Sequence, residues 1–178
     1  IGRAICETYA REGAAVIITD FNVETGGQTA ADINAGGGKA IFVQGDVSNE
    51  DEVKAVVDAG LKAFGRLDIA CNSAALSRGA GPIHEFTREE FDQTFAMCTT
   101  NTWLCMKAII PAMLANGGGA IVNFTSISYM MGNAGYPAYT AANGAITAMT
   151  RSLAREFGPD KIRINALAPG RVLTQKQL

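Results

Sequence analysis

Residues 120–143 read AIVNFTSISYMMGNAGYPAYTAAN. The run Ala120-Ile121-Val122-Asn123-Phe124 is apolar, short and without helical spacing, which fits a buried strand. Gly132, Gly135 and Pro137 then interrupt the pattern. Beyond them, small residues mixed with Ile, Met and Leu run at helical spacing to Phe157. Strand, Gly-rich loop and helix make one βα unit. A hydroxyl at the strand end (Ser126) and a phenol in the first helical turn (Tyr139) can converge on one point as an acid/base pair. Asn143 stands one turn further along, on the face of Tyr139.

The same alternation extends through the chain. Apolar runs over 15–19, 39–44, 67–71, 120–125 and 162–168 are predicted strands, most of them continuously apolar as in buried parallel sheets. Helical spacing covers 2–12, 23–34, 49–64, 87–116 and 138–157. Ser48, with Asp51 three residues on, is the expected cap of the third helix, and Thr87-Arg88-Glu89-Glu90 fits a capping box for the fourth. Pro111 lies inside that fourth helix and is a candidate kink. The α-β-α-β-α-β-α-β-α-β order predicts an α/β fold: one domain over 1–178, a doubly wound parallel sheet with helices on both faces in three layers. Such sheets bind ligands beyond the carboxyl ends of their strands. The unusual residues fall there: Asp20, Asp46, Asn72, Ser126 and Pro169-Gly170.

Composition narrows the function. The chain has 178 residues, 48% hydrophobic and 18% charged, with net charge −2, so no basic footprint suggests nucleic acid. No apolar run approaches the roughly 18 residues that span a bilayer, and no signal or lipidation motif is seen. Cys6, Cys71, Cys98 and Cys105 have apolar neighbours and no metal-ligand spacing, as expected of reduced core thiols in a cytoplasmic protein. With one histidine, His84, neither a metal site nor a Ser-His-Asp site is expected.

The ordered series Gly2, Asp20, Asp46-Val47, Asn72, Ser126/Tyr139 and Pro169-Gly170 resembles the short-chain dehydrogenase/reductase family, of the single-domain, NAD(P)-dependent, Rossmann-like kind. The resemblance covers nearly the whole chain. Ile1-Gly2 looks like the end of the family's TGxxxGIG turn, and Pro169-Gly170-Arg171-Val172-Leu173-Thr174 matches its PGxVxT motif. On that match the family's first and last strands fall outside the sequence. The resemblance implies hydride transfer between a nicotinamide cofactor and a secondary alcohol or ketone, with Ser126 and Tyr139 at the reacting oxygen. It implies cofactor contacts from Gly2, Asp20, Asp46, Val47, Asn72, Ala74, Asn143, Pro169, Gly170, Val172 and Thr174. Asp20 ends a strand 18 residues past Gly2, where a carboxylate accepts ribose hydroxyls and repels a 2′-phosphate; no Lys or Arg follows, so NAD is expected over NADP. The family also pairs two long helices across a two-fold axis, so a homodimer or homotetramer through 87–116 and 138–157 is expected.

Three positions depart from the family. Ala75 replaces the glycine of NNAG in Asn72-Ser73-Ala74-Ala75. Cys98, thirteen residues before Pro111, replaces the catalytic asparagine, and Asn101 falls on the usual glycine. Asn143 replaces the lysine of YxxxK, in a register fixed by the thirteen residues from Ser126 to Tyr139. A free tyrosine titrates near pH 10. An ammonium about 4–5 Å away would favour the phenolate by roughly 3–4 kcal/mol at an effective dielectric near 20. Asn143 supplies no charge, although its amide can still bond a ribose hydroxyl. Weak or lost dehydrogenase activity is expected, unless Lys161 or Lys176 compensates. The alternative is a non-catalytic nucleotide-binding or assembly protein on the same fold.

Overall fold

The computed structural model describes residues 1–76 and 79–173. They form two compact units, one over 1–67 and one from Asp68 onward, each with its own parallel sheet.

The first unit runs α1 (Gly2–Arg11), β1 (Ala15–Asp20), α2 (Val23–Ala35), β2 (Lys39–Gln44) and α3 (Glu50–Phe64). β1 pairs with β2 from Ala15↔Lys39 to Asp20↔Gln44. Alternate residues of β1 point to opposite faces. Val16 and Ile18 pack with Ala30 and Ile33 of α2, while Ile17 meets α3 at Gly60. Helices therefore cover both faces of this sheet, as expected. The approach on each side is close: a Cβ at Gly26 would enter the Phe42 ring, and one at Gly60 would overlap Ile17. The cap of α3 is Asn49, which accepts from the Asp51 and Glu52 amides, and not Ser48. Ser48 instead gives both its N–H and its O–H to Asp46 Oδ1, at 2.9 and 2.7 Å, and so lies one step outside the helix.

The second unit runs β3 (Ile69–Asn72), a 3-10 turn (Ile83–Glu85), α4 (Arg88–Phe95), a π-turn (Ala96–Thr100), α5 (Asn101–Ala115), β4 (Gly119–Phe124), α6 (Ser128–Met131), α7 (Pro137–Phe157) and β5 (Ile162–Leu167). Strand order is β3-β4-β5, all parallel. Crossovers of one hand that step the same way across a sheet place their helices on one face. Asn123 of β4, fully buried, shows that face: its Nδ2 reaches Thr150 Oγ1 of α7 at 2.9 Å and Met106 Sδ of α5 at 3.1 Å. Its Oδ1 accepts from Asn72 Nδ2 at 2.8 Å. Ile121, Ile162 and Ile164 of the sheet are buried, as are Met106, Ile109, Ile110 and Met113 of α5.

Two expected elements differ in form. The helix over 87–116 starts with the expected capping box at Thr87 and runs through Pro111, but a π-turn divides it. The loop after β4 carries a short helix, α6, closed by Gly132 in the left-handed region at φ 63°.

Asn123→Ala removes three polar contacts and leaves Asn72 and the buried Thr150 hydroxyl short of a partner. The variant should lose about 2–4 kcal/mol in urea unfolding, with its slope unchanged. A loss within the roughly 0.5 kcal/mol of an ordinary surface substitution would contradict this account of the core.

Candidate active site

In the first unit the two carboxylates singled out lie beyond the same end of β1 and β2. Asp20 is half-buried and its Oδ1 accepts the Asn22 N–H at 2.9 Å. Asn22 in turn caps α2. Asp46 follows β2 by two residues and is exposed, and its own N–H is held by Glu52 at 2.7 Å. Val47 beside it is half-buried. α1 differs from α2, α3 and α4: no side chain caps it and its first turn holds no acidic residue. Its first-turn amides, beginning at Gly2, are thus spent on no side-chain acceptor, a setting suited to phosphate.

In the second unit, Asn72, Ser126 and Pro169-Gly170 mark the carboxyl ends of β3, β4 and β5. The loops after β4 and β5 are tied together by the Ile127 N–H donating to Pro169 O at 3.1 Å. Asn72 turns its amide inward to Asn123, while Ala74 stands exposed at the surface of its loop. Ala75 is free of strain: Lys161 is the one non-glycine in the left-handed region among the described residues. Val172 is exposed, and Thr174 lies outside the described residues.

Ser126 is half-buried, and its Oγ donates to Ser128 Oγ at 3.0 Å and accepts the Ser128 N–H at 3.2 Å. Asn133 Nδ2 donates to the same Ser128 oxygen at 3.3 Å. Ser126 is therefore fixed from the α6 side. Tyr139 is half-buried in the first turn of α7 and packs against a cluster of Cys98, Ala142 and Ile146. Cys98 and Asn143 thus both lie close to the phenol-bearing turn.

Both departures are structurally settled. Asn143 is buried, and its Nδ2 donates to Tyr139 O one turn back at 2.9 Å. The amide is folded onto its own helix, where a lysine would reach beyond it. Cys98 is 1% exposed and its thiol donates to Leu76 O at 3.6 Å. Burial raises that thiol to about 11. The backbone carbonyl of Cys98 accepts the Thr102 hydroxyl at 2.8 Å.

No motif marks the residues that hold this neighbourhood together. Asn101, at the usual glycine position, is buried and donates to Ala74 O and Met97 O, both at 2.8 Å. It joins the loop after β3 to the π-turn. Thr99 donates to Ala142 O at 3.1 Å, and Thr125 donates to Asn143 O at 2.9 Å. Only a polar side chain buried in an apolar helical stretch hints at such roles.

Lys161 does not compensate for Asn143. Its carbonyl accepts the Gly119 N–H where β4 begins, about 20 Å of strand from Ser126. Lys107 lies over the Trp103 ring on α5, and Lys176 falls outside the described residues. Among the described residues no cluster of His, Cys, Asp and Glu could hold a metal ion, and no helix is long and apolar enough to cross a membrane.

Ser126 thus stands just past the end of β4 and Tyr139 in the first turn of α7, on a parallel α/β sheet. A family model described as enoyl-(acyl carrier protein) reductase matches residues 1–177. The chain is 41% identical over 175 residues to 2,5-dichloro-2,5-cyclohexadiene-1,4-diol dehydrogenase of Sphingobium indicum, covering 98% of this chain and 69% of that protein. It is 36% identical over 174 residues to cyclopentanol dehydrogenase of Comamonas, covering 98% of this chain and 69% of that protein. NAD+-bound xylitol dehydrogenase superposes with a TM-score of 0.92 at 30% identity, over 95% of this chain and 65% of that one. The chain belongs to the short-chain dehydrogenase/reductase family, whose Rossmann fold it shares. It spans about two thirds of the length of the relatives it matches.

With its thiol near 11, about one Cys98 in a thousand is ionised at pH 8. Iodoacetamide should therefore leave Cys98 intact in the folded chain at pH 8 and modify it in urea, as read by peptide mass spectrometry. Rapid native labelling of Cys98 would show an exposed, activated thiol.

Proposed function

We propose that the chain carries the site of an NAD-dependent oxidoreductase acting on a secondary alcohol or the matching ketone, with proton transfer weakened by Asn143. The observation that carries this reading is the pair Ser126 and Tyr139, one fixed at the end of β4 and the other in the first turn of α7. Bound nicotinamide would accept or deliver the hydride. The protein's part is to hold the reacting oxygen against the Ser126 hydroxyl and to exchange its proton with the Tyr139 phenol. Asp20 supports NAD: its Oδ1 serves Asn22, and a carboxylate keeps further acceptor capacity for ribose hydroxyls. The uncapped α1 supports a pyrophosphate at Gly2. All of the dehydrogenases compared above act, by name, on alcohols.

A second reading is a nucleotide-binding or assembly protein without turnover. It is favoured by the Asn143 amide being engaged with Tyr139 O and by the buried, un-ionised Cys98. On either reading a homodimer or homotetramer through α4–α5 and α7 is supported by Phe91, Trp103 and Leu114, large apolar side chains exposed on α4 and α5.

The test is Asn143→Lys. Restoring an ammonium one turn from Tyr139 should raise alcohol oxidation at pH 7 about a hundredfold and move the acid limb of the pH–rate profile about two units lower. Equal turnover in the two forms would remove the case for impairment. NADH binding without hydride transfer in both forms would select the second reading.

A further inference from the structure

The π-turn at 96–100 interrupts the helical ladder, and two side chains beside it repair the interruption. The Asn101 N–H bonds Ala96 O, five residues back, as a π-turn requires. That passes over Met97 O, the carbonyl four residues back that an α-helical N–H would take. The Asn101 side chain takes it instead, with Nδ2 donating at 2.8 Å. The Cys98 carbonyl is met in the same way, by the Thr102 hydroxyl at 2.8 Å.

Repair of the helix uses one N–H of the Asn101 amide. The second leaves the helix and donates to Ala74 O, 27 residues back, at 2.8 Å. Ala74 lies in the loop beyond the carboxyl end of β3, the end at which parallel α/β sheets take their ligands. On its other side the π-turn reaches α7: Thr99 donates to Ala142 O at 3.1 Å, three residues past Tyr139. The π-turn is thus a bracket, with one arm on the loop after β3 and the other on the helix that bears the phenol. Asn101 is 4% exposed and its Oδ1 faces the Thr102 N–H, so no part of the amide is spare. Serving both carbonyls at once takes a side chain with two N–H protons; a hydroxyl has one and a carboxylate none. The glycine that the family pattern carries at this position would make neither bond. The Cys98 thiol reaches the same loop only through its 3.6 Å bond to Leu76 O.

We infer that Asn101 is a positioning residue for the cofactor: its bond to Ala74 O holds the loop after β3 at a fixed distance from the Tyr139 turn and so sets how tightly the dinucleotide is held. This rests on the oxidoreductase reading, with Ala74 beside the cofactor. Asn101 acts through the loop, so its effect falls on cofactor binding and not on proton transfer.

The test compares Asn101→Gly with Asn101→Ser in the full chain. A serine can return its hydroxyl to the carbonyl four residues back in its own helix, so it keeps the repair and loses the reach to Ala74 O. Asn101→Ser should therefore unfold in urea closer to the parent chain than Asn101→Gly does. Both should nevertheless weaken NADH binding about tenfold, the worth of one hydrogen bond, as read by NADH fluorescence without urea. Added to Asn143→Lys, Asn101→Ser should raise KM for NAD about tenfold, hold kcat within about twofold and leave the acid limb of the pH–rate profile in place. An asparagine that serves only the helix would lower the urea midpoint and leave NADH affinity and KM unchanged. That result, or a loss confined to kcat, overturns the inference and leaves the oxidoreductase reading standing. Weaker NADH binding in both variants, with no hydride transfer from any form, keeps the tether and removes the oxidoreductase reading. A parent chain that binds no NADH removes both.

Discussion

The close seating of α7 governs the second unit. Ala138, Ala142, Asn143, Ile146 and Thr150 form its buried side. Three small or short residues in that set let the helix backbone come within hydrogen-bond reach of its neighbours. The contacts show it: Thr125, at the end of β4, bonds the Asn143 carbonyl, and Thr99 of the π-turn bonds the Ala142 carbonyl. Larger side chains along this stripe would lift α7, and with it Tyr139, away from Ser126. Packing density thus sets where Tyr139 stands, through alanine methyls along the same helix face.

The seat also explains why Asn143 is tolerated. A buried asparagine needs partners. Its side-chain Nδ2 finds Tyr139 O within the same helix, while the backbone carbonyl of residue 143, which any side chain would leave in place, takes the Thr125 and Thr147 hydroxyls. An uncharged amide therefore fits this buried position one turn from Tyr139. Cys98 follows the same logic: a small, weakly polar side chain fills a tight space against Ala142 and Ile146 with one long bond to Leu76 O.

Much of this was legible in the sequence. Short apolar runs between helical stretches placed all five strands to within about two residues, because burial in a parallel sheet imposes continuous hydrophobicity. The strand–loop–helix reading of 120–157 also held, with Ser126 just past β4 and Tyr139 in the first turn of α7. Less visible were features that depend on who meets whom in space. The cap of α3 passed from Ser48 to Asn49 because Asp46 captures Ser48 first. The π-turn leaves no compositional trace, and Asn101 reveals its role only through two carbonyls, one 27 residues distant. The sharing of one face by α5 and α7 needs the strand order, which periodicity does not contain.

The π-turn at 96–100 has a consequence for how the helical run from Arg88 to Ala115 stores information. Each residue of an α-helix turns it by about 100°, and a π-turn accommodates one more residue than that winding allows. The stretch before it, with Thr94 buried, and the stretch after it, with Asn101, Thr102, Leu104 and Met106 buried, are therefore two stripes of different rotational phase. The turn is the joint that brings both stripes to bear on one core. Chain length through this joint matters as much as any side chain in it. Losing a single residue there would leave every amino acid of α5 chemically unchanged and rotate its apolar stripe by about a quarter turn. Sequence comparisons that score only substitutions would pass over that change.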